Sequence, residues 1–549
     1  MRHRIKQIIE QSNRLFEKRR PVLSLWQEIA LNFYPVRADF TTVRSMSDEF
    51  AAHLMTGRPA LAHRDLGNAI SAMLRPRGTP WFHPRTDDEA INADATARQW
   101  LDAKGDIMRR VMYDRPANFV RATKQGDNDF AAFGQCVIEV SPNRELNGLL
   151  YRPWHLRDVV WCEDEELQIN RVDRTWKLEA YQMANLFPKT IHSEVSKCAK
   201  LEPYREFEVR HIVLPSDQYE WQDEAKGKRK LPFVSLYVDI ANETVLEETP
   251  RKRLGYVIPR WVTVSGSQYA HSIASVIALP DARMLQSMTL TLLEAGQKAV
   301  DPPLKATAEA VSGTVNIYAG GITWVDAEYD ERQGKALEAI MDAPPALNWG
   351  IDREQKIESL ISEAFFLNRI TLPDLSSGQM TAYETQKRIE EYIRGALPLF
   401  EPMEVEYNGA ICEETFNLIM DMGGFGPLDD IPPMLRGQDV QWQFESPLQA
   451  ANERAKSQAF MQSAELLKVA AEIDPSVVHD FNTPKAFRDA MSATARADWI
   501  VPVESAEEAK AAAAERAQMQ EAAATIAQGA GVAAEVGRAG QELAAAGVM

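Results

Sequence analysis

Cysteine is scarce in this chain, with four residues in 549. None of the four, Cys136, Cys162, Cys198 and Cys412, belongs to a C-x-x-C pair. So few cysteines cannot hold a protein of this size together by disulfide bonds, and we expect free thiols in a reducing compartment. No run of about 18 apolar residues predicts a membrane span. The first twenty residues also lack the apolar segment of a secretory signal, so we expect none.

Sequence motifs of the common enzyme classes are missing as well. The nine histidines are scattered, and none has metal-ligand spacing to a cysteine or another histidine. Neither a G-x-x-x-x-G-K-[ST] phosphate loop nor a G-x-S-x-G nucleophile motif occurs. Residues 63–68, HRDLGN, begin like a kinase catalytic loop, but position 70 is Ile where that motif requires Asn. We therefore expect no catalytic, cofactor or metal site, and we do not expect an enzyme.

Basic residues are fewer than acidic ones: the chain has 61 Lys and Arg and 79 Asp and Glu, which gives a net charge of −18. A protein that grips DNA over much of its surface is usually basic, because phosphate contacts need Lys and Arg. Tight binding of this kind is therefore not expected. The hydrophobic content of 45% is that of an ordinary globular protein, and the length predicts three or four structural units.

Hydrophobic periodicity divides the chain into helical and strand regions. Residues 5–34 have a helical pattern that Pro21 is expected to split, and residues 59–74 and 95–112 predict two more amphipathic helices. From about residue 130 to 264, β-branched and aromatic segments predict a mostly antiparallel sheet. The pattern indicates an α+β fold.

Two long helices with proline at their borders follow. Pro280 suits the first turn of a helix that runs to Val300, about 32 Å long, before Asp301-Pro302-Pro303 ends it. Its apolar stripe is predicted to pack on the second helix, which Asp352 is expected to cap together with Gln355. The stripe consists of Leu285, Met288, Leu292, Ala295 and Ala299. A polar stripe consists of Ser287, Thr291, Glu294 and Lys298.

A short hairpin and a glycine-serine loop accompany the two helices. Residues 314–325 alternate around Gly320-Gly321 and predict two short strands. Residues 371–380, TLPDLSSGQM, form a loop without Lys or Arg, and a Thr-x-x-Glu capping box opens the next helix at Thr381. From residue 504 the chain is mostly Ala, Glu and Gln, which favour helix but offer little apolar surface to bury.

The order of several segments resembles that of the portal (head-to-tail connector) proteins of podovirus-type tailed bacteriophages. These segments are RRPVLSLWQEIALNFYP, NAISAMLRPRGTPWFHP, NDFAAFGQCVIEV, ALPDARMLQSMTLTLLEAGQKAVDPPL, GQMTAYETQKRIEEY and FESPLQAANERAKSQAF. The resemblance covers nearly the whole chain and rests on this order rather than on any single motif. One departure is Tyr269-Ala270-His271-Ser272, where the family often has Tyr-Gly-Arg-Ser.

The resemblance implies a viral portal fold with a wing, a long-helix stem, a small α/β clip and a helical crown, assembled as a ring. It divides the chain into N-terminal helices and wing (1–277), stem helix (278–300), clip (301–343), second stem helix (344–370), tunnel loop (371–380), long wing helix and connection (381–445), helical wing or crown (446–503) and crown tail (504–549). Ser376, Ser377, Gly378 and Gln379 would line the DNA channel. Ile317, Tyr318, Ile322 and Trp324 would make contacts between subunits in the clip.

The implied function is a ring of twelve subunits at one capsid vertex of the virion, assembled in the host cytoplasm. A terminase would package double-stranded DNA through the ring, the DNA would later be ejected through it, and adaptor and tail proteins would attach to it. Major capsid and scaffolding proteins are further expected partners, and no membrane is. A different collar or adaptor protein of the virion, or a DNA-processing enzyme, are the alternatives; an enzyme would need clustered acids or a phosphate loop.

Overall fold

The computed structural model describes residues 2–43, 51–76, 80–219, 231–300, 304–306, 337–339, 347–370, 403–444 and 460–468, with positions 311, 315 and 324 and ten positions between 482 and 519. The predicted tunnel loop, most of the predicted crown tail and most of the predicted clip lie outside the described residues. The described part mixes helices with antiparallel sheet, which confirms the α+β class.

The helices begin and end as follows: α1 Arg2–Phe33, α2 Arg58–Leu74, α3 Glu89–Ala93, α4 Ala95–Met112, α5 Phe119–Phe133, α6 Ala180–Leu186, α7 Ser193–Leu201, α8 Ile273–Val300, α9 Leu347–Ala364, α10 Leu367–Ile370 and α11 Ala410–Asp421. A π-helical turn, Glu404–Gly409, leads directly into α11. The sequence periodicity predicted α2 to within a residue and α4 over the same residues. No helix in the described ranges has the length and apolar character that a membrane span requires.

The strands are β1 Phe82–Thr86, β2 Val137–Pro142, β3 Leu149–Trp154, β4 Val159–Glu163, β5 Ile169–Glu179, β6 Glu206–Pro215, β7 Phe233–Asp239, β8 Thr244–Arg251, β9 Tyr256–Val257, β10 Leu304–Ala306, β11 Leu337–Ala339 and β12 Val440–Phe444. They form a five-stranded sheet in the order β4-β5-β6-β7-β8, a three-stranded sheet in the order β3-β2-β9, and the pairs β1-β12 and β10-β11. All neighbours in the two larger sheets are antiparallel, as predicted.

Helix α1 is one continuous element of 32 residues with Pro21 inside it, so the expected split at Pro21 is wrong. Proline costs the helix a hydrogen bond, but burial of both halves compensates for that cost. Ile5 and Ile9 pack on one face of the five-stranded sheet. Trp26 and Phe33 are almost completely buried in the second half.

Helix α8 begins at Ile273, seven residues before Pro280, so the prediction that Pro280 lies in the first turn is wrong. Ser272 precedes the helix, and its hydroxyl accepts the Ser275 N–H at 3.3 Å while donating to the Ala131 carbonyl at 2.7 Å. One face of the added turns is buried against α5, where the Ser275 hydroxyl donates to the Ala132 carbonyl. Tertiary contacts therefore set the start of this helix.

Helix α9 begins at Leu347, so Asp352 lies inside it and does not cap it. That prediction is also wrong, because a capping pattern is short and recurs by chance within helices.

The chain divides into two structural units. The first comprises residues 1–84, 103–430 and 441–446, and it holds both larger sheets, α1 and the two long helices. The second comprises residues 85–102, 431–440 and 447–549. Within the second unit, Ile91, Ala97 and Leu101 pack with Leu435 in a small apolar cluster.

Candidate functional site: the pair of long helices

The two long helices, α8 and α9, pack against each other in antiparallel directions. Near one end of the contact, Gly350 of α9 lies directly against the Leu292 side chain of α8. A Cβ atom added to Gly350 would be only 2.5 Å from Leu292 Cδ2. One turn further, the Thr289 hydroxyl donates to the Glu354 carboxylate. The residue numbers fall along α8 as they rise along α9, which gives the direction. We call this element the long-helix pair.

The apolar stripe predicted for α8 lies on the covered side of that helix. Leu285 is completely buried, and Met288, Leu292, Ala295 and Ala299 are half-buried. On α9 the side chains of Ile357 and Ile361 are completely buried. The contact between Leu292 and Gly350 shows that the stripe packs on the second helix, as the sequence predicts.

The four residues of the polar stripe, Ser287, Thr291, Glu294 and Lys298, are all exposed. Ser287 and Thr291 each donate their hydroxyl to the carbonyl four residues earlier, which satisfies these groups without a partner outside the helix. Glu294 precedes Lys298 by four residues, the favourable order for a helical charge pair. This face is built to remain in contact with water.

Exposed apolar side chains also lie on the long-helix pair, and sequence reasoning missed them. Leu290 and Leu293 of α8 are 42% and 52% exposed, and Trp349 of α9 is 69% exposed. Because Gly350 lies opposite Leu292, Trp349 and Leu293 are at the same level of the pair. The sequence shows only that these apolar residues lie off the buried stripe; their grouping at one level of the pair, which can mark an interaction surface, comes from the structure.

The segment that leads into α2, together with the first residue of that helix, bonds to both long helices. The Gln286 side chain of α8 accepts the N–H groups of Met55 and Thr56 at 2.6 and 3.1 Å and donates to the Thr56 carbonyl at 3.0 Å. Arg58 donates to the Ser362 hydroxyl of α9 at 2.9 Å. These bonds fix the long-helix pair to the rest of the first unit.

A buried polar cluster lies deeper in the same unit, where α2 ends. Arg75 pairs with Asp127 of α5 and donates to Asn408 Oδ1 of the π-helical turn at 2.7 Å, and its guanidinium lies over the Tyr407 ring. Burial raises the pKa of the Tyr407 hydroxyl and of the Cys136 thiol well above their usual values, so both stay protonated. Such groups are inert, and the cluster is structural rather than catalytic.

Comparison with known proteins gives the family of the chain. The family model described as "Bacteriophage head to tail connecting protein" matches residues 5–496.

The chain belongs to the bacteriophage head-to-tail connecting proteins.

Two curated relatives extend the match. The chain is 25% identical over 547 residues to the "Probable portal protein" of Bordetella phage BPP-1, covering 97% of this chain and 95% of that protein. It is 19% identical over 492 residues to the "Portal protein" of Salmonella phage epsilon15, covering 88% and 86%. The resemblance to portal proteins drawn from the sequence is thereby confirmed, and the chain is a structural component of a phage particle.

Membership in a structural family agrees with the expectation that the chain is not an enzyme. Within the residues that the structure describes, no three His, Cys, Asp or Glu side chains gather at metal-binding distance. A head-to-tail connecting protein must assemble with the head and with the tail, so contact surfaces are among its functional sites.

The structure describes few of the residues that were predicted for the channel and the clip. Ser376, Ser377, Gly378 and Gln379 lie outside the described residues, as do Ile317, Tyr318 and Ile322. Trp324 is described and its side chain is 71% exposed. Strands β10 and β11 pair antiparallel in the region assigned to the clip, with Lys305 opposite Glu338. The roles of these residues stay predictions.

Proposed function

We propose that this protein forms a closed ring of twelve subunits at one vertex of a phage head. Double-stranded DNA passes through the ring, driven inward by a separate terminase, and later leaves by the same channel. Adaptor and tail proteins attach to the ring outside the head, and capsid and scaffolding proteins surround it. Family membership and the portal proteins among the relatives support this proposal.

The observation that carries the proposal is the exposed apolar surface of the long-helix pair. Completely burying a Leu side chain is worth about 1.5–3 kcal/mol, so covering the exposed half of Leu293 contributes about 1 kcal/mol. Trp349 is larger and more exposed, and it contributes more. In a ring these side chains would pack on the neighbouring copy, and the same contact would repeat at every interface.

The polar stripe and the net charge suit a channel that DNA passes without adhering. Twelve copies of a chain with a charge of −18 sum to about −216. Acidic walls repel the DNA backbone. The proposed channel loop at residues 371–380 contains no Lys or Arg to hold phosphate, while Ser376, Ser377 and Gln379 offer uncharged hydrogen bonds.

The proposed division of labour follows the family resemblance. Residues 1–277 form the wing, α8 and α9 the stem, residues 301–343 the clip for terminase and adaptor, and the tail from residue 504 the crown. In the crown, twelve weak Ala-rich helices would support one another. The tail is therefore expected to be cut by protease in the free chain and protected in the ring.

The test is native mass spectrometry of the purified full-length protein together with negative-stain images. We expect a ring near twelve times 61.7 kDa with a central hole. The variant Leu293→Asp should lower the fraction of rings, because a charge would be buried at each interface. Leu146→Asp is the matched control: Leu146 is also an exposed leucine, but it lies in the turn between β2 and β3. It should assemble like the natural protein.

Two results would refute the proposal. One is a monomer under every condition, including with capsid and scaffolding proteins present. The other is ATP hydrolysis by the purified chain alone, which would point to a motor enzyme. Equal assembly of Leu293→Asp and Leu146→Asp would leave the ring intact but remove the long-helix pair from its interface.

A further inference from the structure

Three arginines from the two larger sheets of the first unit all act electrostatically on the buried His211, and none of them has a role described above. Arg152 is on β3, Arg174 is on β5 and Arg251 ends β8. In the five-stranded sheet Arg174 lies opposite His211, and His211 lies opposite Tyr237. The side chains of Arg174, His211 and Tyr237 therefore share one face of that sheet. We call Arg152, Arg174 and Arg251 the arginine cluster.

Arg174 is the most buried member, with 2% of its surface exposed. Its guanidinium carbon lies 3.8 Å from the ring centroid of Trp154 and 4.1 Å from that of Trp176, so the two indoles sandwich it. Its Nε donates to the Tyr256 hydroxyl at 3.1 Å. The two terminal nitrogens of Arg174 form no hydrogen bond or ion pair with any residue that the structure describes. They are donors held in place without an acceptor.

The arginine cluster carries more positive charge than its surroundings neutralise. Glu139 pairs with Arg152 at 3.2 Å and also accepts the Trp154 N–H at 2.8 Å, and it is completely buried. Within the described ranges, neither Arg174 nor Arg251 has an ion-pair partner. Three arginines and one glutamate leave a net charge of +2 before the partly ionised Glu414 is counted.

The nearby titratable groups cancel this charge only in part. Both nitrogens of His211 are hydrogen bonded, to the Tyr256 hydroxyl at 2.6 Å and the Ser235 hydroxyl at 2.8 Å. Burial, and after it the three arginines, lowers the pKa of His211 well below its usual value, so the ring is neutral. Glu414 accepts the Gly255 N–H beside Arg251 at 3.4 Å, but burial raises its pKa to about 7, so it carries only part of a charge near neutral pH.

The arginine cluster is also open to ligands from the surface. The Arg152 side chain is 42% exposed, and Trp154, Trp176, Tyr237 and Arg251 are only half-buried. An anion could therefore reach the guanidinium groups without unfolding the sheets.

We propose that the arginine cluster binds a phosphate group, either inorganic phosphate or the terminal phosphate of a larger molecule. A phosphate monoester carries a charge of about −1.5 to −2 at neutral pH, which matches the net charge of the cluster, whereas a single carboxylate would leave it positive. Arginine presents paired N–H groups in a plane that fits two phosphate oxygens. The competing interpretation is that the stack of Arg174 between two indoles is structural and needs no anion.

The test is isothermal titration calorimetry of the full chain with inorganic phosphate at pH 7 and low salt. We expect saturable binding of one phosphate per chain, with a change in tryptophan fluorescence because Trp154 and Trp176 flank the site. Arg251→Gln should weaken binding about tenfold or more, since it removes a charge-assisted contact. It should fold normally, because no hydrogen bond or ion pair within the described residues is lost. Arg144→Gln, in the exposed turn after β2, makes the same change in net charge and should bind as the natural protein does.

Two further competition measurements distinguish the possible sources of the phosphate. Two short oligonucleotides of the same sequence, one with a 5′-phosphate and one without, are tested as competitors of inorganic phosphate. Competition by the phosphorylated oligonucleotide alone would identify a terminal phosphate as a ligand. Competition by neither would identify the free ion. The proposal is overturned if no saturable binding occurs up to about 10 mM phosphate, well beyond the ~1 mM range of weak specific sites. Equal weakening by Arg251→Gln and Arg144→Gln would also overturn it, leaving a structural stack.

Discussion

Removing the carboxylate of Asp127 should destabilise the first unit more than most single substitutions. Arg75 and Asp127 form an ion pair whose side chains are 3% and 0% exposed. Asp127→Ala would leave the Arg75 guanidinium buried without a counter-charge. Breaking a buried pair in this way costs about 3–5 kcal/mol. Every 1.4 kcal/mol is a factor of ten, so the folding equilibrium constant should fall roughly 10²- to 10⁴-fold.

The assay is urea unfolding followed by the fluorescence of the buried tryptophans, with the loss of stability read from the shift of the midpoint at constant slope. Asp65→Ala is the matched control, because its pair with Arg64 is exposed, at 44% and 62% of the two side chains. Exposed pairs contribute about 0–1 kcal/mol. The control should therefore unfold close to the midpoint of the natural protein.

A double variant separates the charge from the packing. Arg75→Met with Asp127→Leu removes both charges and keeps apolar volume, so it should recover most of the stability that Asp127→Ala loses. Recovery should be incomplete, because Asn408 Oδ1 loses its donor. A loss below about 1 kcal/mol for Asp127→Ala, equal to that of Asp65→Ala, would refute the assignment of this pair as a buried structural contact.

Three further substitutions test backbone geometry and burial, each by the same urea assay. Gly134 has φ +73° and a Cβ there would lie 2.2 Å from the His271 carbonyl carbon, so Gly134→Ala should cost more than about 2 kcal/mol. Gly296 in α8 has open space around it, so Gly296→Ala should instead add about 0.5–1 kcal/mol; a loss would contradict its open surroundings. Burial raises the pKa of Glu414 to about 7 from 4.5, so ionising this group costs stability as the pH rises between these values. Glu414→Gln should therefore stabilise by up to about 3 kcal/mol at pH 8 and have no effect at pH 4.

Local periodicity predicted the helices and their faces better than the proline rule predicted where helices begin and end. The pattern of residues 95–112 and the stripe from Leu285 to Ala299 both matched the structure, because a buried face repeats with the helical period wherever the helix packs. Pro21 and Pro280 were expected at helix borders, yet both lie inside helices. A local rule for proline cannot account for apolar contacts made by residues far away in the chain.

The residues of the candidate site were likewise predicted from the sequence only in part. Exposure of the polar stripe follows from composition, so it could be read directly from the sequence. Leu290, Leu293 and Trp349 were not recognised, because an apolar residue on a helix is expected to be buried until the structure shows that nothing covers it.

By itself, the sequence determined the α+β class, the antiparallel strand region, the exposed and buried faces of α8, and membership in the portal family. Each of these rests on periodicity, composition or the order of segments along the chain. Only the tertiary structure decided which polar groups meet. Arg75 and Asn408 are 333 positions apart, and the arginine cluster joins strands of two different sheets. Such pairs leave no local pattern, because burial and charge act through space between segments that the chain brings together only when it folds.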